Sequence, residues 1–226
     1  MPKTKKPLLV LDKKRTFFDY FKLNLETGDI LDTFGYDFAV SHVTLPQTKV
    51  APERVNDVRA HVEACLPYVN FTSEAARREF LIAPVLLEVV RTTHAKLSVE
   101  YPLEVDRNLR GTLDYFLRAE SQLLVIEAKN ADLTRGFTQL AVELIALDKW
   151  LDGSGEVLYG AVSIGDVWRF GTLERRKKLI TQDLKLFRVP EELESLLATL
   201  IGILKNTGAG KTTARKRRGV SQSRHS

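Results

Sequence analysis

Two carboxylates and a lysine lie close together in the stretch GTLDYFLRAESQLLVIEAKN, residues 111–130. Asp114 falls in a predicted strand, and Glu127 and Lys129 end the next one, after the apolar run LLVI. Because side chains alternate along a strand, Glu127 and Lys129 share one face. Carboxylates beside a lysine can bind a divalent cation and act on a phosphate group. These residues raise the hypothesis of metal-assisted phosphodiester hydrolysis.

The register of this predicted hairpin decides whether the two acids meet. If the turn at 119–122 closes the hairpin symmetrically, Asp114 lies directly across from Glu127. The same register pairs Tyr115 with Ile126, an apolar combination that supports the alignment. A turn one residue longer or shorter would separate the two acids.

Opposed carboxylates, with side chains on the order of 5 Å apart, repel each other unless a proton or a cation lies between them. Oxygen ligands next to a lysine favour Mg²⁺, with Mn²⁺ able to substitute, because this ion keeps waters and accepts phosphate oxygens. Lys129 could then hold the attacking water or stabilise charge on the phosphoryl oxygens. A simpler alternative stays open, in which Lys129 pairs with both acids of an ordinary hairpin.

Asp114, Glu127 and Lys129, with LLVI before the acid and a predicted helix after it, resemble the motif of the PD-(D/E)XK nuclease superfamily. From Glu88 through GAVSIGDVWRF to the last predicted helix, the chain is similar to the nuclease domain of type I restriction endonuclease subunits. The resemblance implies a restriction-endonuclease-like core of helix, three strands, helix and strand. It also implies a metal-dependent DNA endonuclease of the restriction or repair type.

The resemblance carries residue roles with it. The metal ligands would be Glu88, Asp114, Glu127 and the backbone carbonyl of Ala128. The catalytic residues would be Asp114, Glu127, Lys129 and Gln139, with Lys129 orienting or activating the water. Gln139 has an open alternative as a polar residue at the edge of an apolar helical stripe. The chain departs from the family at Leu113, where a proline usually precedes the motif aspartate, and 226 residues leave no room for a translocase.

DNA is the expected partner, and the arginines that flank the acids are candidates for phosphate contacts: Arg107, Arg110 and Arg135. Each of them could equally be an ordinary surface charge. A homodimer is the simplest assembly for cutting both strands. The competing hypothesis is a DNA-binding or assembly module that keeps the fold without cutting.

The net charge of +5 is concentrated in the last residues. From Lys205 onward there are seven Lys or Arg and no acid, which leaves 27 basic against 29 acidic residues in the rest. This end is rich in Gly, Ser and Thr and has no apolar periodicity, which predicts a disordered basic tail. It could contact phosphates or act only as a solubilising end.

Predicted elements divide the chain into an N-terminal β-rich extension (1–50), a nuclease-like domain (51–205) and the tail (206–226). The domain is expected to be α/β, a mixed central sheet flanked by helices. Its predicted helices start at Pro52, span 73–91 with a kink at Pro84, follow an Asp132 N-cap and follow Pro190. Two strands are predicted around a turn at 165–166.

Cysteine usage and hydropathy exclude several protein classes. Cys65 is the one cysteine, so neither an internal disulfide nor a multi-cysteine metal site can form. No apolar run approaches the length of a membrane span or of a signal-peptide core. The sequence therefore predicts a cytoplasmic protein without membrane contact.

Overall fold

Helices and strands alternate along the chain and build one mixed sheet covered by helices. A computed structural model describes Leu9, Leu11 and residues 13–119, 122–129, 131–151 and 156–206. The helices are α1 (Phe17–Lys22), α2 (Thr27–Asp32), α3 (Pro52–Cys65), α4 (Glu74–Arg77), α5 (Ala83–Thr93), α6 (Leu133–Trp150) and α7 (Leu193–Lys205). The strands are β1 (Asp37–Ser41), β2 (Lys96–Glu104), β3 (Arg110–Arg118), β4 (Leu123–Ala128), β5 (Val157–Ser163), β6 (Val167–Glu174) and β7 (Leu179–Arg188).

All seven of these strands belong to one sheet in the order β1-β7-β6-β5-β4-β3-β2. Two antiparallel units, β2–β3–β4 and β5–β6–β7, meet at the parallel pair β4–β5. A parallel connection needs a crossover, and α6 supplies it. The predicted α/β class with a mixed central sheet flanked by helices is confirmed.

The β3–β4 hairpin has the predicted register. Tyr115 pairs with Ile126, and the ladder continues to Arg118 opposite Leu123. The Ala119 N–H donates to the Gln122 carbonyl at 2.9 Å, so the turn closes symmetrically. Asp114 and Glu127 therefore occupy opposed positions just beyond the last paired residues.

Each face of the sheet has its own apolar core. Alternating residues of β4 separate the two cores, with Leu124 and Ile126 in one and Val125 in the other. The first core contains residues of α3, α5 and α7, and the second contains residues of α1, α2 and α6. Polar side chains on the α6 side of the sheet are consequently enclosed between a strand and a long helix.

The predicted β-rich character of residues 1–50 is wrong. Thr16 and Asp19 form a capping box that starts α1, and this short helix buries Phe17 and Tyr20 against the body. Gly28 lies inside a second short helix, α2. The segment also contributes one strand to the sheet, because β1 pairs in parallel with β7 at the sheet edge.

The predicted helix over 73–91 forms in three parts. Ser73 caps α4 by accepting the Ala76 N–H at 3.1 Å, and a π-helical turn, Arg78–Ile82, leads into α5. Pro84 has no N–H and crowds the preceding turn, so the wider π turn just before it is a physically reasonable break. The break predicted near Pro84 therefore appears as this π turn.

Most remaining elements follow the sequence pattern. Asp132 caps α6 by accepting the N–H groups of Thr134 and Arg135. The turn between β5 and β6 places Gly165 at φ +96, a left-handed conformation that suits glycine. β7 was not predicted, and the basic tail lies beyond Asn206, outside the described residues. None of the helices described here is both long and apolar enough to cross a membrane.

The close packing of β6 against α6 can be tested with Gly171→Ala. A Cβ at this position would lie 2.6 Å from ring atoms of Phe137, which is fully buried. Overpacking should lower the free energy of unfolding by about 1–3 kcal/mol, measured by urea denaturation. Gly28→Ala is the control, because its Cβ would meet only Phe38 at 3.8 Å. Equal stabilities of the two variants would contradict this packing.

Candidate active site

The candidate site lies where β3 begins, β4 ends and α6 starts. Asp114 accepts the backbone N–H of Ala128 through Oδ2 at 2.9 Å, which ties its carboxylate to the end of β4. A strand residue directs its N–H and C=O to the same side, so the Ala128 carbonyl also lies on the side of Asp114. The Asp114 side chain keeps 17% of its surface exposed, which leaves it open to solvent.

Glu127 is the buried centre of the site, with a side chain only 1% exposed. Its Oε1 accepts a hydrogen bond from the Lys129 ammonium and one from the Gln139 amide, the latter at 2.7 Å. Its Oε2 is buried and has no hydrogen-bond partner among the residues that the structure describes. Buried carboxylate oxygens are normally satisfied, so this atom calls for a proton or a cation.

A second buried glutamate, Glu143, completes this cluster and was missed by sequence reasoning. The Gln139 amide donates to Glu143 Oε1 at 2.9 Å, so one amide group joins two carboxylates. Glu143 is fully buried, and within the described ranges its Oε2 likewise has no hydrogen-bond partner. The signal was present in the sequence, because an acid one helical turn after Gln139, within an apolar stripe, must face something polar.

Burial and mutual repulsion keep protons on this cluster. Burial raises the pKa of Glu127 well above its usual range, and the charges of Glu143 and Asp114 raise it further, against the opposing effect of Lys129. Burial likewise raises the pKa of Glu143 to about 8. The effect of Asp114 on both groups shows that all three carboxylates share one electrostatic environment.

Lys129 is held in a nearly closed compartment. Its ammonium lies 5.3 Å from the ring centroid of Phe21 and 5.8 Å from that of Phe18, both in α1. Burial acts to lower the pKa of Lys129, but Glu127 and the other carboxylates outweigh it and raise the pKa above its usual value. Lys129 is therefore a cation at neutral pH and a hydrogen-bond donor, not a base.

The close approach of α6 to Lys129 depends on Gly136. A Cβ there would lie 2.9 Å from Lys129 Cγ and 2.7 Å from Val162 Cγ2. The Lys129 N–H also donates to the Ser163 carbonyl at 2.8 Å, which fixes the backbone beyond β4. The lysine side chain therefore has little room except along the path towards Glu127.

Two residues from α4 and the π turn also reach the site, and neither was predicted. Burial raises the pKa of Glu74, which interacts electrostatically with Lys129, Asp114 and Arg78. Arg78 lies 3.8 Å from Asp114 Oδ1. Glu74 is therefore the acid of the helical segment 73–91 that lies within electrostatic range of Asp114 and Lys129.

Glu88, predicted as a metal ligand, is not brought to this cluster. Its buried carboxylate is paired with Arg54 at 2.7 Å and Arg91 at 3.3 Å, and it accepts a hydrogen bond from Thr92. It lines a groove of about 270 Å³ between α3 and α5. These partners account for a charged residue in an apolar helix, and they hold Glu88 apart from the cluster around Glu127.

The three arginines expected to contact DNA lie near the acids. Arg107 is in the β2–β3 loop and Arg110 begins β3, which places both beside the end of β4, while Arg135 is in the first turn of α6. Arg110 pairs with Glu104 at 3.5 Å and Arg135 with Asp132 at 3.6 Å. Such exposed pairs contribute little and can be exchanged for phosphate contacts.

The donor set fits a divalent cation at the exposed edge of the cluster. Asp114, the unpartnered Glu127 Oε2 and the Ala128 carbonyl are all oxygen donors, the type that Mg²⁺ prefers. Within the described part of the chain, no group of three or more Asp, Glu, His or Cys side chains is placed to hold a metal ion without water or backbone ligands. An ion bound here would keep several waters, as Mg²⁺ usually does.

Comparison of this chain with models of protein families, with curated proteins and with solved structures found no match.

Glu143→Gln tests the raised pKa of this buried acid. An acid whose pKa rises on folding loses stability as pH increases from its ordinary value of 4.5 to about 8, because the unfolded chain releases the proton first. Glutamine removes this dependence. The variant should be more stable than wild type at pH 8 by on the order of 1–3 kcal/mol, and not at pH 4.5.

Thermal unfolding followed by circular dichroism at both pH values measures the difference, since 1 kcal/mol corresponds to roughly 2–4 °C in Tm for a chain of this size. Glu63→Gln, the same substitution at an exposed position of α3, is the control. Parallel pH profiles for wild type and Glu143→Gln would rule out a proton held at Glu143.

Proposed function

We propose that this protein is a metal-dependent DNA endonuclease with a restriction-endonuclease-like core. The element order supports the proposal, because α5, β2, β3, β4, α6 and β5 follow one another as helix, three strands, helix and strand. The antiparallel pairing of β2, β3 and β4 and the parallel pairing of β4 with β5 agree with the same core. The motif residues lie at the end of this unit, where β3 and β4 leave the ladder.

One observation carries the functional part of the proposal. Glu127 is buried at the end of a central strand, tied to Lys129 and Gln139, with one oxygen unpartnered and Asp114 opposite. A stability role alone would not explain three acids gathered around one lysine, because buried charges reduce stability unless fully paired. Function is the usual reason for a costly arrangement of this kind.

The residues that would hold Mg²⁺ are Asp114, Glu127 and the carbonyl of Ala128, with Mn²⁺ as a substitute. When bound, Mg²⁺ supplies charge stabilisation at phosphoryl oxygens and lowers the pKa of bound water. Gln139 orients Glu127 by donating to the oxygen that also accepts from Lys129. Glu74 adds negative potential beside Asp114.

Lys129 would act as a fixed donor in the reaction. As an ammonium group, it can donate to the attacking water or to a phosphoryl oxygen as negative charge develops there. Hydrolysis adds one water across a P–O bond, so the products are a phosphate end and a hydroxyl end. Lys129 needs no change in protonation to stabilise that step.

DNA would approach the edge of the sheet where the arginines of the β2–β3 loop, β3 and α6 lie. Phosphate contacts there would set the position of the backbone without reading sequence. A homodimer would bring two such sites to the two strands of a duplex. The alternative is a module with the same fold that binds DNA without cutting.

Cleavage of a plasmid that carries a single-stranded gap, and so offers both duplex and unpaired DNA, tests the hydrolytic assignment in the presence of Mg²⁺. Wild type should cut, and Asp114→Ala and Lys129→Ala should each cut at least about 100-fold more slowly, because each removes a group that acts on the transition state. Chelation of the metal should stop wild type. If wild type and variants leave DNA equally intact while binding it with salt-dependent affinity, the non-cleaving alternative holds.

Calorimetric titration with Mg²⁺ and Mn²⁺ tests the metal site separately. Asp114→Asn should abolish the binding heat, because it removes a charged ligand. Glu74→Gln should weaken binding by lowering the local negative potential, whereas Glu88→Gln should bind like wild type because Glu88 is paired with Arg54 and Arg91. A loss in Glu88→Gln as large as in Asp114→Asn would overturn this assignment of ligands.

A further inference from the structure

Two aromatic rings of α1 lie at the entrance of the proposed catalytic site. Phe18 and Phe21 are stacked, with ring centroids 5.8 Å apart and an interplanar angle of 9°. Phe18 is 49% exposed, although the neighbouring Phe17 is almost completely buried. A half-exposed phenylalanine beside the buried ammonium of Lys129 is a surface available to a ligand.

The segment that carries these rings is well anchored. Tyr20 donates from its hydroxyl to the Asn108 carbonyl at 2.9 Å, and the Arg15 N–H donates to the Arg107 carbonyl at 3.0 Å. Phe17 packs against Gly111 so closely that a Cβ there would lie 2.8 Å from its ring. The aromatic pair is therefore presented on a fixed support.

Positive charge surrounds this aromatic pair. The Lys22 ammonium lies 4.3 Å from the Phe18 centroid, and the Lys129 ammonium lies beneath both rings. Arg107 and Arg110 belong to the loop and strand on which α1 packs. Flat apolar faces next to cations match the chemistry of a nucleotide, which combines an aromatic base with an anionic phosphate.

The possible DNA substrates differ in whether the face of a base is accessible to a protein ring. In the interior of a duplex each base is covered by its neighbours, so only an unpaired, flipped or terminal base can stack on a protein ring. Lys22 is a flexible, exposed side chain and can turn to a phosphate when a base takes its place over Phe18. Lys129 is close enough to the rings for one nucleotide to contact both.

We propose that Phe18 and Phe21 stack an unpaired DNA base beside the scissile phosphate, so that the substrate class is DNA with a single-stranded or frayed segment. This inference rests on the proposed function, since it assigns the reacting phosphate to Lys129. It makes α1 a part of substrate recognition. Internal duplex DNA would contact the arginines without using the aromatic pair.

A single-stranded oligonucleotide containing 2-aminopurine tests this stacking directly, because its fluorescence falls when the base stacks on a ring. The titration uses the full chain in the presence of a chelator, so that metal-dependent cutting does not interfere. Wild type should quench the probe, and Phe18→Ala should lose the quenching and bind the oligonucleotide about 5-fold or more weakly. Affinity for a closed circular duplex should change less than 2-fold, roughly the scatter expected when no stacking contact is lost.

Two further variants separate stacking from apolar contact. Phe18→Leu keeps the apolar volume without the flat ring and should behave like Phe18→Ala, whereas Phe18→Tyr keeps the ring and should restore quenching. Trp150→Ala is the matched control, because Trp150 is an aromatic residue of similar exposure, 43%, at the far end of α6. Thermal unfolding of each variant verifies that it is folded.

The outcomes distinguish this inference from the hydrolytic function. Phe18-dependent quenching without any Mg²⁺-dependent cleavage would support stacking and overturn hydrolysis. Cleavage together with unchanged binding in Phe18→Ala would support hydrolysis and overturn stacking. An equal loss of affinity for single-stranded and duplex DNA in Phe18→Ala, or no binding of the oligonucleotide by wild type, would also overturn stacking.

Discussion

The burial of the Glu127 carboxylate is the constraint on which the rest of the site depends. Its side chain is 1% exposed, and two further carboxylates, Asp114 and Glu143, share its surroundings. Removing one partner from a buried ion pair costs about 3–5 kcal/mol, so Lys129 offsets part of the cost of burying Glu127. The remaining charge is balanced by a proton or a cation, and either can occupy the place left open at Glu127 Oε2.

The connection between β4 and β5 brings the groups of this site together. Because β4 and β5 are parallel, the chain must cross over the sheet, and α6 makes that crossing directly above the end of β4. One turn of α6 brings Gly136 against the Lys129 stem, and the following turns direct Gln139 and Glu143 to the buried carboxylate. The crossover helix α6 therefore contributes both Gln139, whose amide orients Glu127, and Glu143, whose charge repels it.

Local patterns were sufficient to predict the hairpin register and the Asp132 cap, since alternation and helical spacing are short-range rules. Local patterns failed where contacts between residues far apart in the sequence determine the structure. Glu88 and Glu74 both precede the hairpin, and only the three-dimensional fold shows which one reaches Lys129. In residues 1–50, alternating apolar residues fit a strand and a short helix equally well, and packing against α6 selected the helix.

The N-terminal segment borders the candidate site, because Phe18 and Phe21 of α1 lie against the Lys129 ammonium. Lys129 is 7% exposed and Asp114 17%, so a substrate of the proposed nuclease would reach these groups along the edge that α1 borders. A ligand at that edge would lie against the exposed ring of Phe18 before it contacted the ammonium beneath. Aromatic faces at such a boundary exclude water, which strengthens every electrostatic contact behind them. The pair of rings is therefore suited both to shielding the charge cluster and to selecting which substrate reaches it.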